Sequence, residues 1–361
     1  MKQGWEIRPF EKCIEKVKYT TKIATCDYST MGAYPVVSQE EEYISGYWNN
    51  AEDVFRVSKP VVIFGDHTRV LKYVDFDFVL GADGVKILQP IDAINAKFFL
   101  YYLIASKIPS LGYSRHYKLL KELNVPVPPI AEQEKIVAEL DCLSGIIEKK
   151  KQQLKELDNL AQSIFYEMFG DPVENDKGWE VREVGDVCIL KSGDSSANNT
   201  SAGMLPYIKV GDMNMEGNNP RITTSSTFVS KEENAKGIFP IGSILFPKRG
   251  GAIFTNKKRL TSVEVCCDLN IMGVIPKREV LPIYIYHYFI GLDFGKLCNG
   301  ATIPQINNKD IAPLKICVPS KNKQQEFASM IESIEKQKEL IAQSIKETET
   351  LFNSRMDYYF N

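Results

Sequence analysis

The stretch Asn124-Val125-Pro126-Val127-Pro128-Pro129-Ile130 separates a turn-rich segment from a long run without proline. Its prolines interrupt regular structure, whereas the residues from Glu132-Gln133-Glu134 onward continue without proline as far as Pro172. A second proline segment, Lys315-Ile316-Cys317-Val318-Pro319, precedes Gln324-Gln325-Glu326 and another proline-free run. The sequence therefore predicts two long helices, each of which begins after a proline segment.

The segments in front of these helices also resemble each other. Gly4-Trp5-Glu6-Ile7-Arg8 recurs as Gly178-Trp179-Glu180-Val181-Arg182, 174 positions later (179 minus 5). Aromatic, helix-like stretches at Phe98 to Ile104 and Tyr284 to Ile290 precede the two proline segments. An internal repeat of this length indicates two similar modules of mixed strands and turns, each followed by its own long helix.

The two predicted helices carry matching apolar stripes. Steps of four and three residues from Ile136 give an apolar series that is interrupted once, by Lys150. The series recurs more weakly from Phe327, with Lys338 at the corresponding position and Thr348 and Arg355 further along. Each helix would be about 55 Å long. We expect the stripes to pair as the seam of an antiparallel coiled coil: Ile136, Leu140, Leu143, Ile147, Leu154, Leu157, Ile164, Phe327, Ile331, Ile334, Ile341, Ile345 and Phe352.

A helical hairpin inside a single core is the alternative to a coiled coil between two modules. Charged flanks such as Glu148-Lys149-Lys150-Lys151 favour helices that are largely exposed to solvent. The length of 361 residues, with 44% hydrophobic and 25% charged residues, also suits two or three globular domains rather than one.

Composition gives expectations about the environment of the protein. No apolar run is long enough for a membrane span, and the start at Met1 lacks the apolar stretch of a signal peptide, which predicts a soluble, cytoplasmic protein. The eight cysteines show no zinc-site spacing and are expected to be reduced thiols. Because 44 Lys and Arg residues face 46 Asp and Glu residues, a nucleic-acid partner would need local basic patches or the charge of a partner protein.

Catalytic signatures are almost missing from the sequence. Gly291-Leu292-Asp293-Phe294-Gly295-Lys296-Leu297 is one residue short of a phosphate-binding loop and lacks its Ser or Thr. The histidines His67, His116 and His287 stand near no nucleophile or metal motif. Val127-Pro128-Pro129-Ile130 lacks the Asn or Asp that an adenine-methylase motif requires. We therefore predict no catalytic residue, no metal and no cofactor in this chain.

Turn-rich segments instead supply polar, basic and aromatic residues, which are the types that contact phosphates and base edges. Such segments follow Phe64 and Phe246, and another includes Gly112 to Lys118. Each could be an ordinary surface turn, but their presence in both halves favours binding. The candidate DNA-binding residues are Ser38, Gln39, His67, Arg69, Lys72, Tyr113, Arg115, His116, Lys118, Lys209, Lys248, Arg249, Asn256, Lys257, Lys258, Arg259 and Gln305.

These features together resemble the specificity (S) subunit of type I restriction-modification systems, over essentially the whole chain. The junction from Val125 to Val137 is similar to the proline segment and Glu-Gln pair that open each long helix in that family, and Gly32 to Gln39 and Gly65 to Arg69 are similar to its first-module sequences. The second copy departs from the pattern, because Gln324-Gln325 replaces the Glu-Gln pair and the seam there includes Arg355.

The resemblance implies an α+β fold: two tandem mixed α/β target recognition domains, separated by two long helices that form an antiparallel coiled coil with pseudo-twofold symmetry. The implied boundaries are 1–129 for the first domain, 130–170 for the central helix, 171–318 for the second domain and 319–361 for the C-terminal helix.

The family resemblance also implies a function and partners. Each domain would read one half of a bipartite site in double-stranded DNA, while the helices set the unread spacer and dock two modification (M) methyltransferase subunits. A restriction (R) subunit would join the complex. S-adenosylmethionine, ATP and Mg would then belong to partner subunits, and no membrane would be involved.

Three other functions stay open at the level of sequence. The chain could be the specificity chain of a fused, type IIB-like restriction enzyme that cuts on both sides of its site. It could be a divergent nuclease, or a protein-only adaptor in which the coiled coil is the functional part. The recognised bases themselves cannot be derived from the sequence, because DNA readout depends on loop geometry and on DNA deformability.

Overall fold

The computed structural model describes residues 4–82, 84–172, 174–194, 204–231, 235–298 and 303–360. The chain forms two compact units: unit 1 comprises residues 1–151 and 342–361, and unit 2 comprises residues 152–341. Each unit therefore contains one β-rich module and parts of both long helices. The domain boundaries predicted at residues 129, 170 and 318 stay predictions.

The first module contains a short terminal pair of strands and two four-stranded sheets. Its elements are β1 (Glu6–Pro9), β2 (Ile14–Glu15), β3 (Tyr34–Val37), β4 (Gly46–Trp48), β5 (Val54–Phe55), β6 (Val61–Gly65), β7 (Leu71–Val74), β8 (Phe78–Leu80), β9 (Val85–Pro90), α1 (Ala96–Ala105), α2 (Tyr117–Leu120) and β10 (Asn124–Val127). Strand β1 pairs antiparallel with β10, and the sheets have the orders β2-β9-β6-β7 and β4-β3-β8-β5.

The second module repeats this plan. After the long helix α3 (Ile130–Phe169) it contains β11 (Glu180–Glu183), α4 (Val184–Val187), β12 (Cys188–Ser192), β13 (Leu205–Ile208), β14 (Arg221–Ile222), β15 (Phe228–Val229), β16 (Ile238–Phe239), β17 (Ile244–Pro247), β18 (Arg259–Thr261), β19 (Val265–Cys267), β20 (Ile271–Pro276), α5 (Pro282–Ile290), α6 (Phe294–Leu297), α7 (Asn308–Ile311) and β21 (Lys315–Val318), followed by the long helix α8 (Lys321–Phe360). The sheets have the orders β12-β20-β17-β18-β14 and β15-β13-β19-β16.

The two ends of each sequence repeat are neighbours in space. Ile7 in β1 pairs with Pro126 in β10, and Val181 in β11 pairs with Cys317 in β21. The recurring Gly-Trp-Glu motif thus lies beside the proline segment of its own module. This pairing closes each module next to the start of its long helix.

Apolar sequence explains the central strands and the aromatic helices. Strand β6 and strand β17 are buried along their whole length, as expected for β-branched and aromatic runs covered on both faces. Helix α1 is apolar almost all round and is capped by Asn95, whose side chain accepts hydrogen bonds from the backbone N–H groups of Lys97 and Phe98. In unit 1 this helix packs with Ile136 and Leu140 of α3.

Both long helices have 40 residues, and within each unit they run antiparallel. In unit 1, Lys150 Nζ donates to Ser344 Oγ over 2.5 Å, and the Arg355 guanidinium binds the Glu139 carboxylate. In unit 2, Lys338 Nζ donates to Asp158 Oδ1 over 2.7 Å. The antiparallel pairing is confirmed, and all the predicted seam residues are buried or half-buried.

The buried stripe changes its phase where α3 enters unit 2. Phe165 and Phe169 are the buried residues there, whereas Ile164 is only half-buried. Their rings pack against Tyr284 and Phe327, with centroids 5.4 Å apart for Phe165 and Tyr284 and 5.3 Å apart for Phe169 and Phe327. A regular heptad misses this shift, because the helix here contacts a module core as well as the other helix.

A buried glutamine opens each long helix and makes the same three hydrogen bonds in both units. In unit 1, Gln133 Oε1 accepts from the N–H of Asn95, and its Nε2 donates to the carbonyls of Ala93 and Pro128. In unit 2, Gln324 accepts from Leu281 N–H and donates to the carbonyls of Glu279 and Pro319. Both glutamines are 0% exposed. We call this arrangement the glutamine latch.

The latch joins three segments of its module. Asn95 and Leu281 are the N-cap residues of α1 and α5, and the glutamines lie 191 positions apart (324 minus 133). Each latch therefore connects the start of the aromatic helix, the proline segment and the start of the long helix. This structural role explains the glutamine in the Glu132-Gln133 motif of the sequence.

We predict that Gln324→Leu lowers the free energy of unfolding by about 2 to 4 kcal/mol, because it leaves three buried backbone groups without a partner. The adjacent Gln325 is exposed, so Gln325→Leu should change stability by less than about 0.5 kcal/mol. Urea denaturation of both variants measures the difference. Equal effects from the two substitutions would contradict the structural role of Gln324.

His287 on α5 is a buried histidine whose ring meets Phe327 edge-on, with centroids 5.2 Å apart. Burial, and then the charges of Lys338 and Arg221, lower the pKa of His287 to about 4. The ring Nδ1 has no hydrogen-bond partner among the described residues. The folded protein thus favours neutral His287.

Because the folded-state pKa lies below the ordinary value of 6.5, the contribution of His287 to stability is complete above about pH 6.5. It falls as the pH drops towards 4, by up to about 3 kcal/mol. We predict that His287→Phe, which keeps the aromatic contact, flattens the pH dependence of stability between pH 6.5 and 4. Chemical denaturation at a series of pH values tests this, and an unchanged slope would show that other groups control acid stability.

Candidate nucleic-acid interface

In unit 1 the loop after β6 and the loop before α2 are fastened to each other. The backbone N–H of His116 donates to the carbonyl of Asp66 over 2.8 Å, and the N–H of Tyr117 donates to Asp66 Oδ1 over 2.7 Å. His116 Nε2 accepts from the N–H of Leu111, so Nδ1 carries the proton and donates to the Asp66 carbonyl over 2.9 Å. The buried His116 thereby fixes both loops.

These two loops present a basic and aromatic face. Arg69, Tyr113, Arg115 and Lys118 are exposed, and the half-buried ring of His67 stacks on Tyr113 with centroids 5.6 Å apart. Arg69 Nη1 donates to the carbonyl of Ile108 over 3.0 Å, which links the loops a second time. We define surface 1 as His67, Arg69, Tyr113, Arg115 and Lys118.

Gln39 supports surface 1 from the neighbouring sheet. Its Oε1 accepts from the N–H of His67 over 3.2 Å, and its carbonyl accepts from Thr68 Oγ1 over 2.5 Å. Gly84, with φ of +99°, leaves room for this side chain, since a Cβ there would come within 2.4 Å of Gln39 Oε1. The main role of half-buried Gln39 is therefore to hold the loop in place.

Three predicted DNA contacts in unit 1 need correction, because their side chains are buried. Lys72 Nζ donates to the carbonyls of Ser38 and Glu42, and burial lowers the pKa of Lys72. Ser38 Oγ lies 2.7 Å from Ser45 Oγ, and His116 bonds within the loops as described above. We reassign Ser38, Lys72 and His116 from DNA contact to loop support.

Unit 2 fastens the corresponding loops in the same way. The N–H of Ile306 donates to the carbonyl of Lys248 over 2.9 Å, and the N–H of Gly250 donates to the carbonyl of Pro304 over 2.8 Å. Arg249 and Gln305 form an isolated bridge between the two loops. The loop after β17 and the loop before α7 thus meet as their counterparts do in unit 1.

The loops of unit 2 also carry accessible polar and basic groups. Arg249 is exposed, while Lys248, Lys257 and Gln305 are half-buried. Lys248 Nζ donates to Ser192 Oγ over 2.8 Å, and burial, followed by the charge of Arg249, lowers the pKa of Lys248. We define surface 2 as Lys248, Arg249, Lys257 and Gln305.

The basic run that follows surface 2 is largely structural. Lys258 is buried, donates to the carbonyl of Leu292 over 2.6 Å and lies 4.3 Å from the ring centre of Phe294; burial lowers its pKa to about 8. Half-buried Arg259 donates to the carbonyl of Met213. Exposed Asn256 accepts from Lys258 Nζ over 2.7 Å. We reassign buried Lys258 to the support of the loop, whereas exposed Asn256 and half-buried Arg259 stay predicted contacts.

The remaining predicted contact is Lys209, which follows β13 in the other sheet of unit 2. It is exposed, and its ammonium lies 5.7 Å from the ring centre of Tyr207.

Asp66 and Ser192, which tie the basic loops to their sheets, were not predicted from the sequence. Asp66 lies in the stretch Gly65 to Arg69 that resembles the family, but its role in holding the loops is seen only in the three-dimensional contacts, as is that of Ser192.

Two findings concern what the described residues lack. They contain no group of three or more His, Cys, Asp or Glu residues placed to hold a metal ion. No helix among them combines the length and apolar character needed to cross a membrane.

Comparison with known families defines the class of protein to which these paired modules belong. Residues 3–159 and 176–350 each match the family model described as "Type I restriction modification DNA specificity domain". The chain belongs to this family. With two such domains in tandem, it is a type I restriction-modification specificity subunit, which agrees with the resemblance seen in the sequence.

Curated relatives match almost the whole chain. The Escherichia coli type I restriction enzyme EcoR124I/EcoR124II specificity subunit is 24% identical over 381 aligned positions, covering 98% of this chain and 91% of the relative. The putative type I specificity subunit S.HindORF215P of Haemophilus influenzae is 23% identical, with coverage of 98% and 94%. These relatives favour a type I subunit over the fused-enzyme and nuclease alternatives.

Solved structures show the same fold. A chain from a study of complex assembly and conformational transition in the type I R-M system has a TM-score of 0.58 and 16% identity, covering all of this chain and 98% of its own. The type I S subunit of M. genitalium has a TM-score of 0.56 and 14% identity, covering 98% of this chain and 95% of its own. The predicted fold class of tandem mixed modules with two long helices is confirmed.

Proposed function

We propose that this chain is the noncatalytic DNA-reading subunit of a type I restriction-modification complex, with surface 1 reading one half of a bipartite site and surface 2 the other. The observation that carries the proposal is the repeated pair of fastened loops, which presents cations in both family-matched modules. Cytoplasmic DNA would be the target. Two modification subunits and a restriction subunit would supply S-adenosylmethionine, Mg and ATP chemistry.

The chemistry of the two surfaces fits recognition in two steps. Exposed Arg69, Arg115 and Arg249 can bind phosphates bidentately, which orients a module on the duplex. Gln305 offers an amide that can bind adenine edges once the module is in place. The formal charge of −2 is low for a DNA-binding protein, so cations on the partner subunits would add to the attraction.

We predict that the double substitution Arg69→Ala and Arg249→Ala weakens DNA binding by the assembled complex and reduces the slope of log K against log salt by about 2. The double substitution Lys155→Ala and Lys346→Ala removes the same charge from exposed positions on the long helices and is the matched control. Fluorescence anisotropy at several salt concentrations measures both. An unchanged salt slope in the arginine variant would contradict the assignment of surfaces 1 and 2.

The long helices provide a test of how spacer length is set. We predict that one heptad inserted after Lys150, with a matching heptad after Ile341, lengthens the unread spacer and leaves both half-sites intact, because seven residues preserve the phase of the seam. Methylome sequencing of cells that carry the variant and its modification subunit reads out the site. An unaltered spacer would show that the helices do not determine it.

A further inference from the structure

Tyr113 is the most exposed large apolar residue of surface 1. It is 98% exposed, yet it lies in a loop held by both ring nitrogens of His116 and by the stack on His67. The backbone N–H of Ser114 also donates to the carbonyl of Gly112. The loop is thus ordered before binding, so little conformational entropy opposes burial of the ring.

Surface 2 carries an apolar side chain in nearly the same place. Ile303 is 63% exposed and precedes Pro304, whose carbonyl accepts from Gly250 of the opposing loop. His116 and Asn307 are the N-cap residues of α2 and α7. Tyr113 lies three residues before the first of these caps, and Ile303 lies four residues before the second. Each cation-bearing surface therefore has an exposed large apolar side chain just before its helix cap; in unit 2, Phe254 is a second exposed apolar side chain, at 61%.

On the basis of the proposed function, we propose that Tyr113 and Ile303 are wedge residues that enter between adjacent base pairs, each in its own half-site. Arginines around Tyr113 can bind the phosphates on either side of the entry point. A ring face or an aliphatic side chain makes its most favourable contacts with unstacked bases. Apolar wedges of this kind bend the duplex towards the major groove.

The charge around Tyr113 favours DNA over a protein partner as the occupant of this site. Arg69, Arg115 and Lys118 are the exposed cations of surface 1, to which the ring belongs. An apolar contact with a protein would normally have few charged residues at its centre.

A wedge also implies a preference for a flexible pyrimidine–purine step at the entry point, because such steps unstack most easily.

The test uses the full chain assembled with its modification subunits, and duplexes that carry a fluorescent base analogue at successive positions of the recognised site other than the bases that those subunits methylate. For the wild type we expect increased fluorescence at one step in each half-site. Tyr113→Ala should abolish the increase in the first half-site and weaken binding roughly tenfold. Tyr113→Phe should keep both, and Ile303→Ala should remove only the signal in the second half-site.

The possible outcomes separate the wedge from the proposed function. Lack of sequence-specific binding by the wild-type assembly would overturn the proposed function itself. Specific binding by the wild type with unchanged affinity and fluorescence in Tyr113→Ala would overturn the wedge alone. Loss of a subunit from the Tyr113→Ala assembly in native mass spectrometry would assign the ring to protein docking. The variant should melt like the wild type, since Tyr113 contributes an exposed side chain.

Discussion

The buried glutamine at the start of each long helix is the interaction on which both units depend. A primary amide can donate two hydrogen bonds and accept up to two, and Gln133 and Gln324 each use both donors and the amide oxygen to bind three backbone groups. Hydrogen bonds are directional, whereas apolar packing tolerates small rotations. The latch therefore fixes the orientation of each module on its helix more tightly than the surrounding apolar core could.

The chain between the recognition loops and the latch has a constant length. His116 lies 17 residues before Gln133, and Asn307 lies 17 residues before Gln324. In front of these loops the two modules differ in length, because the Trp motifs lie 174 positions apart and the glutamines 191. Part of this difference lies in front of the aromatic helices, whose N-cap residues Asn95 and Leu281 are 186 positions apart (281 minus 95), and the rest lies between these caps and the loops before α2 and α7. The segment that transmits the position of the loops to the helix is the same in both.

The sequence predicts the long helices, their seam and the repeat well, because all three rest on periodicity or on direct sequence identity. It predicts the basic loops but not which of their cations are accessible. One signal was present, because alternate residues of a strand share a face: Lys72 and Val74 lie on one face of β7, and Lys258, directly before β18, is two residues from Leu260. Both apolar neighbours are buried, and so are both lysines. The positions of Asp66 and Ser192 had no such signal.

The two junctions between module and helix share the latch but differ in the hydrogen bond of the tryptophan. In unit 1, Trp5 Nε1 donates to Glu132 Oε1 over 3.1 Å, beside Gln133. Lys323 stands before Gln324 in unit 2 and pairs with Glu326, and the buried Nε1 of Trp179 has no hydrogen-bond partner among the described residues. An unpaired buried donor costs about 1 to 3 kcal/mol. Unit 2 thus retains the glutamine latch but lacks the tryptophan hydrogen bond. The module–helix junction of unit 2 is therefore the weaker of the two.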